Sequence, residues 1–109
     1  MGTATLMVLW GKPEDRNAFD SDYLGTHLPL ARDLPGLVGL RTRTLRSKHF
    51  SRCAELEFDD ETALRAALAS PAGQAVTADV QRLEQAHATT STSHIARDEA
   101  ISSDDGGEE

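Results

Sequence analysis

Between Phe19 and Leu34 the apolar residues recur at helical steps, with Phe19, Tyr23, Leu30 and Leu34 on one face, and the remaining position of that stripe is a histidine, His27. The same segment holds Gly25 and Pro29. A proline inside a helix removes a backbone donor and crowds the preceding turn. The pattern therefore predicts an amphipathic helix over about Pro13 to Asp33 that kinks or breaks near His27 and leaves a carbonyl beside it without its usual partner. An imidazole in that position has two readings. It is a core group bonded to such a carbonyl, the commoner outcome for a polar residue on an apolar face, or it lines a pocket as an acid/base group.

The elements around this helix follow from period and punctuation. Thr3 to Trp10 alternates as a strand, with Ala4, Leu6, Val8 and Trp10 on one face and Thr5, Met7 and Leu9 on the other. Gly11-Lys12-Pro13 ends it, and Pro35-Gly36 ends the helix. Leu37 to Arg46 and Ser51 to Phe58 predict a hairpin, with Val38, Leu40, Ala54, Leu56 and Phe58 toward the helices and a charged outer face. A turn near His49 would set Arg43 across from Glu55 and Arg41 across from Glu57. Asp59-Asp60-Glu61 opens a second helix with Leu64, Ala67 and Leu68 on its apolar edge. Ser70-Pro71 opens a third, striped by Val76, Val80, Leu83 and His87. A threonine-rich segment from about Ala88 to Ile95 completes the set as an edge strand. Strand, helix, two strands, a helix pair and a last strand make an α+β, ferredoxin-like βαββαβ sheet with helices on one face.

Net charge is −7, yet six acids against one base fall in residues 97–109, which leaves the body near neutral. The expected division is one domain over residues 1–96 and an acidic, disordered tail over 97–109. No basic footprint and few aromatics exclude nucleic acid as a partner. The longest apolar run, Leu6 to Trp10, is too short for a membrane span, and no charged leader precedes it. Cys53 is the single cysteine, which bars an internal disulfide and a four-thiolate metal site and makes a cytoplasmic location the default expectation. The histidines at 27, 49, 87 and 94 lack the pair spacing of zinc sites, and no phosphate loop, nucleophile elbow or dinucleotide fingerprint is present.

With this order in place, the chain resembles the EthD family of dimeric α/β-barrel proteins. The resemblance runs from about Thr5 to Leu83 and rests on Tyr23, His27-Leu28-Pro29 and Leu34-Pro35-Gly36, with LWGKPEDRNAFDSDYLGTHLPLARDLPGL before the hairpin and AELEFDDETALRAALASPAGQAVTADV after it. It implies a homodimer with sheets packed back to back, on the face carrying Thr5, Met7, Leu9 and Cys53, and a cavity between sheet and helices in each protomer. Relatives in the wider superfamily include cofactor-free monooxygenases, isomerases, cyclases and haem-degrading enzymes. The resemblance implies His27 as acid/base and Tyr23 as an orienting hydroxyl, on an aromatic or apolar substrate; no cofactor and no metal are expected, and haem held by a single histidine ranks third. Trp10, Phe19, Leu56 and Phe58 are expected to shape the apolar wall, and His94 to reach the cavity from the last strand. Oxidoreductase chemistry of the cofactor-independent monooxygenase type is favoured over isomerase or cyclase chemistry. The alternative is a ligand-binding or accessory protein for a partner oxygenase.

Overall fold

The computed structural model describes residues 3–99. Four strands, β1 (Ala4–Gly11), β2 (Leu37–Thr44), β3 (Phe50–Phe58) and β4 (Ser91–Arg97), form one antiparallel sheet in the order β2-β3-β1-β4. Helices α1 (Arg16–Asp22), α2 (Leu28–Arg32), α3 (Glu61–Ala69) and α4 (Pro71–Ala86) supply the second layer. Alternation along β1 places Ala4, Leu6, Val8 and Trp10 in the core, where Phe19, Tyr23, Leu64 and Leu83 close over them. This is the ferredoxin-like arrangement that the element order predicts.

The helix expected to be continuous from Pro13 is divided. It begins at Arg16, because Asp15 serves as the N-cap and accepts a bond from the Ala18 amide at 3.1 Å. Tyr23–His27 then forms a π-helical turn, in which the Leu28 amide reaches back to the Tyr23 carbonyl. Pro29 lacks the amide that a regular helix would direct at Gly25, so widening by one residue resolves the frustration at this point. Gly36, at φ 78°, reverses the chain after α2 in a conformation that side chains resist.

Asp60 caps α3 through the Ala63 amide, and Ser70 caps α4 through the Gly73 amide with Pro71 in the first turn. Gly73 permits the corner between the two helices, since a Cβ there would collide with the carbonyl oxygens of Ala67 and Leu68.

Two hairpin expectations are corrected. Arg41 lies opposite Glu55 and Arg43 opposite Cys53, because the turn is centred on Lys48 rather than His49. Glu55 consequently accepts from both guanidinium groups, each at 3.2 Å. Near the other end, an irregularity between Leu37 and Gly39 turns Val38 outward, 54% exposed, while Leu37 and Leu40 pack on the core. β4 is also later than expected and includes Arg97, which pairs with Ala4, and the Asp98 amide bonds to the Thr3 carbonyl. The rest of the proposed acidic tail, from Ala100, lies outside the described residues.

Candidate functional site

A cavity of about 170 Å³ lies between the sheet and the helices. Leu6, Val8, Trp10, Leu40, Ala54 and Leu56 form its floor. Tyr23 and His27 of the π-helical turn, Ala31, Leu68, Val76 and Val80 form the roof, and Thr77 and Ser93 add hydroxyls. An engineered apolar cavity of roughly 150 Å³ takes up benzene, so the space suits a molecule with about one ring. No Lys, Arg, Asp or Glu lines it among the described residues.

Phe19, Tyr23 and His27 stack at four-residue steps, with ring centres 5.6 Å apart at each step. Trp10 meets all three rings, edge-on to Tyr23 and His27 at 6.0 Å. These contacts lock the orientation of the imidazole, whose residue is 6% exposed. Its Nδ1 is 2.8 Å from Oδ2 of Asp79 on α4. An ionised carboxylate only accepts, so Nδ1 carries the proton and donates, and in the neutral ring Nε2 is then the acceptor nitrogen. Asp79 is itself buried, which opposes ionisation, but bonds from Arg82 and His27 outweigh that and hold its carboxyl below the usual range.

The network continues outward. Arg82 Nε donates to Asp79 Oδ1 at 2.6 Å, and its two Nη groups grip both oxygens of Asp22 at 2.9 Å. His87 Nε2 lies 2.8 Å from Asp22 Oδ2. These partners push the Asp22 carboxyl strongly down, with the bonds from Arg82 and then His87 as the largest causes. Asp22 immediately precedes the π-helical turn and His27 ends it, so α4 fastens that turn at both ends. The partner of His27 is therefore a carboxylate of α4, not the freed backbone carbonyl expected beside Pro29.

Tyr23 is fully buried. Burial drives its phenol pKa up, while the Thr42 hydroxyl bond and the Arg52 charge moderate the rise. Arg52 rises from the inner face of β3 opposite Trp10, and its guanidinium carbon lies 4.9 Å from the centre of the Tyr23 ring.

Of the residues singled out in the sequence, the structure brings Trp10, Tyr23, His27 and Leu56 to the cavity. Phe19 and Phe58 are fully buried but stand behind the wall, Phe19 as the next ring in the stack. His94 lies opposite Met7, on the outer face of the sheet, and is exposed there; Ser93 is the β4 residue at the cavity. Strand parity is the reason, since neighbouring residues point to opposite faces. His87 ends α4, and Cys53 sits on the outer face, where burial raises its thiol pKa. Among the described residues no three His, Cys, Asp or Glu side chains converge as metal ligands.

Asp79, Thr42 and Arg52 were missed from sequence. Asp79 occupies the stripe of α4 at the step between Val76 and Leu83, and Arg52 shares strand parity with Ala54 and Leu56. A charge on an inward face was the signal in both.

Fold and site together define a ferredoxin-like α+β protein with a histidine-bearing apolar cavity under its helices. The EthD domain model matches residues 12–87. The chain belongs to the EthD family. It is similar to an EthD family protein from Bacillus halodurans, at 27% identity and TM-score 0.81 over 89% of this chain and 99% of the other. It shares its fold with SnoaB, a cofactor-independent oxygenase from Streptomyces nogalater, at 18% identity and TM-score 0.67 over 93% and 97% of the two chains. A ferredoxin-like DABB family protein from Mesorhizobium loti matches at 12% identity and TM-score 0.72 over 92% and 100%. No curated protein matches the chain.

Proposed function

We propose that this protein is a cofactor-free enzyme for a small apolar or aromatic molecule, with the His27–Asp79 pair as its acid/base. One observation carries the reading: a buried imidazole on the wall of an apolar cavity has its Nδ1 proton bound to a carboxylate, which directs Nε2 to accept a proton from a guest. A purely structural histidine needs only a carbonyl. Here the fold instead buries an acid and neutralises it with Arg82.

Oxygenase chemistry is the favoured form, supported by the fold shared with SnoaB. Removal of a proton by Nε2 would leave an electron-rich carbanion or phenolate. Dioxygen is then the co-reactant, converting a CH2 group to C=O with release of one water. Isomerisation or cyclisation would use the same first step without dioxygen.

The protein is further proposed to work as a homodimer through its outer sheet face. Thr5, Met7 and Leu9 are half-buried on that face, and relatives from Bacteroides fragilis and Thermobifida fusca are described as dimeric. Sedimentation equilibrium should give a dimer at micromolar concentration.

The deciding experiment exposes purified protein to single-ring phenols and quinols in air, with oxygen uptake and absorbance as the readouts. At least one compound should turn over, and His27→Leu should reduce that rate by about 100-fold. Tight binding without turnover would assign the protein to the accessory, ligand-holding class.

A further inference from the structure

The polar group that faces His27 across the ring stack has its own supporting chain. Arg52 has a side chain only 6% exposed, on the helix side of the sheet, where a charge is costly unless its neighbours answer it. Its Nη2 meets Asp20 at 3.2 Å and its Nη1 meets Thr42 Oγ1 at 2.9 Å, while its buried Nε has no partner among the described residues. A guanidinium can only donate, so the threonine oxygen accepts in that bond. Thr42 has one hydroxyl proton, and Tyr23 Oη at 3.3 Å is its acceptor. Tyr23 then receives a bond at its oxygen and retains a proton with no acceptor of its own among the described residues. Thr42 pairs with Ala54 and stands two residues from Leu40, both on the cavity floor, and Tyr23 lines the cavity, so its hydroxyl lies beside that floor.

We infer that Arg52, acting through Thr42, fixes Tyr23 as a hydrogen-bond donor to an oxygen of the bound molecule, which makes the cavity selective for a neutral carbonyl compound bearing an acidic C–H beside the carbonyl. The inference rests on the acid/base reading of His27 for its chemistry but not for its binding geometry. Nε2 of His27 accepts and Tyr23 donates, so the guest must offer the complementary pair. In the step they support, the C–H bond breaks, its proton passes to Nε2, and the electron pair moves through the adjacent carbon onto the carbonyl oxygen. The enolate oxygen keeps the Tyr23 hydrogen bond, in the manner of an oxyanion hole. No cation lines the cavity among the described residues, which disfavours carboxylate guests, since these would be buried without a counter-charge. Arg52 and Thr42 are positioning residues in this scheme, since neither lines the cavity.

Trp10 is the chain's one tryptophan and lines the cavity, so its fluorescence reports binding directly. The probes are acetophenone and α-methylstyrene, which differ only by C=O against C=CH2. The measured quantity is the ratio of their affinities in each variant, which cancels their unequal hydrophobicity. Tyr23→Phe should lower the ratio about tenfold, and Thr42→Val and Arg52→Gln should each lower it about threefold or more. The carbonyl stretch of bound acetophenone, displaced to lower frequency in the parent protein, should move back in the same variants. Thr42→Val conserves shape and keeps the test intact should Arg52→Gln fail to fold. An unchanged or raised ratio in Thr42→Val would overturn the assignment, because Tyr23 would then have been donating to Thr42. Failure of acetophenone to bind the parent protein at millimolar concentration would overturn the ligand class. Exchange of the acetophenone methyl hydrogens in deuterium oxide separates the two readings. If His27→Leu abolishes exchange while the ratio ignores Thr42, the base stands and the donor chain falls; if the ratio depends on Thr42 but no exchange occurs, the reverse holds.

Discussion

His27 and Tyr23 stack one turn apart on the same cavity wall, yet the groups behind them carry opposite charge. Helix α4 places a carboxylate behind the imidazole, at 2.8 Å. The sheet places a guanidinium behind the phenol, through Thr42. A carboxylate accepts a hydrogen bond from its neighbour and leaves the far side of a neutral imidazole to accept, whereas a guanidinium donates one and orients the hydroxyls beyond it to donate. In the proposed scheme, two similar rings in one apolar cavity acquire complementary roles from charges that do not line it.

The strongest way to break this contrast is at the imidazole. His27→Leu should reduce turnover by about 100-fold or more, while unfolding free energy in urea falls by only about 1–2 kcal/mol, because Arg82 still neutralises Asp79. Collapse of the fold would assign the pair to structure instead. Asp79→Asn is expected to come next, with a rate loss of about 10- to 100-fold, typical of a partner that orients a reactive histidine. Measured rates within threefold of the parent would show that the stacked rings alone hold the tautomer.

The acid dependence of stability tests the same carboxylates. Both Asp22 and Asp79 have folded-state pKa values below their unfolded ones. Their stabilisation is therefore complete above the ordinary carboxyl range and is lost as pH falls through the folded values. Urea midpoints should drop between about pH 4 and pH 2, and Arg82→Gln should flatten that decline by removing a shared cause of both shifts. The smallest effect concerns the chain end. Truncation after Glu99 is expected to leave the melting temperature nearly unchanged, whereas truncation before Arg97 should lower it by a few degrees, since Arg97 pairs with Ala4 and Asp98 bonds to Thr3.

Legibility from sequence followed the same division. The order of elements, the caps at Asp60 and Ser70 and the irregular helix near His27 could be read because each has a local signature in spacing or residue type. The ring stack was readable too, since Phe19, Tyr23 and His27 sit four apart. Asp79 lies 52 residues from its partner, and no local rule links such positions. Its place in the stripe with Val76, Val80 and Leu83 was nonetheless as anomalous as that of His27 in its own. The register of β4 was unreadable for a different reason: a run of Ser and Thr has no apolar side to choose a face, so His94 could be placed on either.

The π-helical turn has a consequence for how the site tolerates insertions and deletions. Loss of one residue within Tyr23–His27, Gly25 being the least encumbered with no atom within 4 Å of where its Cβ would stand, would allow the segment to re-form as an ordinary helix. Tyr23 and His27 would then stand three residues apart instead of four, offset by about 60° around the helix, so the rings would stay neighbours but lose their present stacking offset. The backbone would gain regularity, and the spacing between the two polar groups on the cavity wall would change. Length at this turn is therefore as much a property of the site as the identity of the residues in it, and a homologue one residue shorter here would carry both side chains at a different mutual offset.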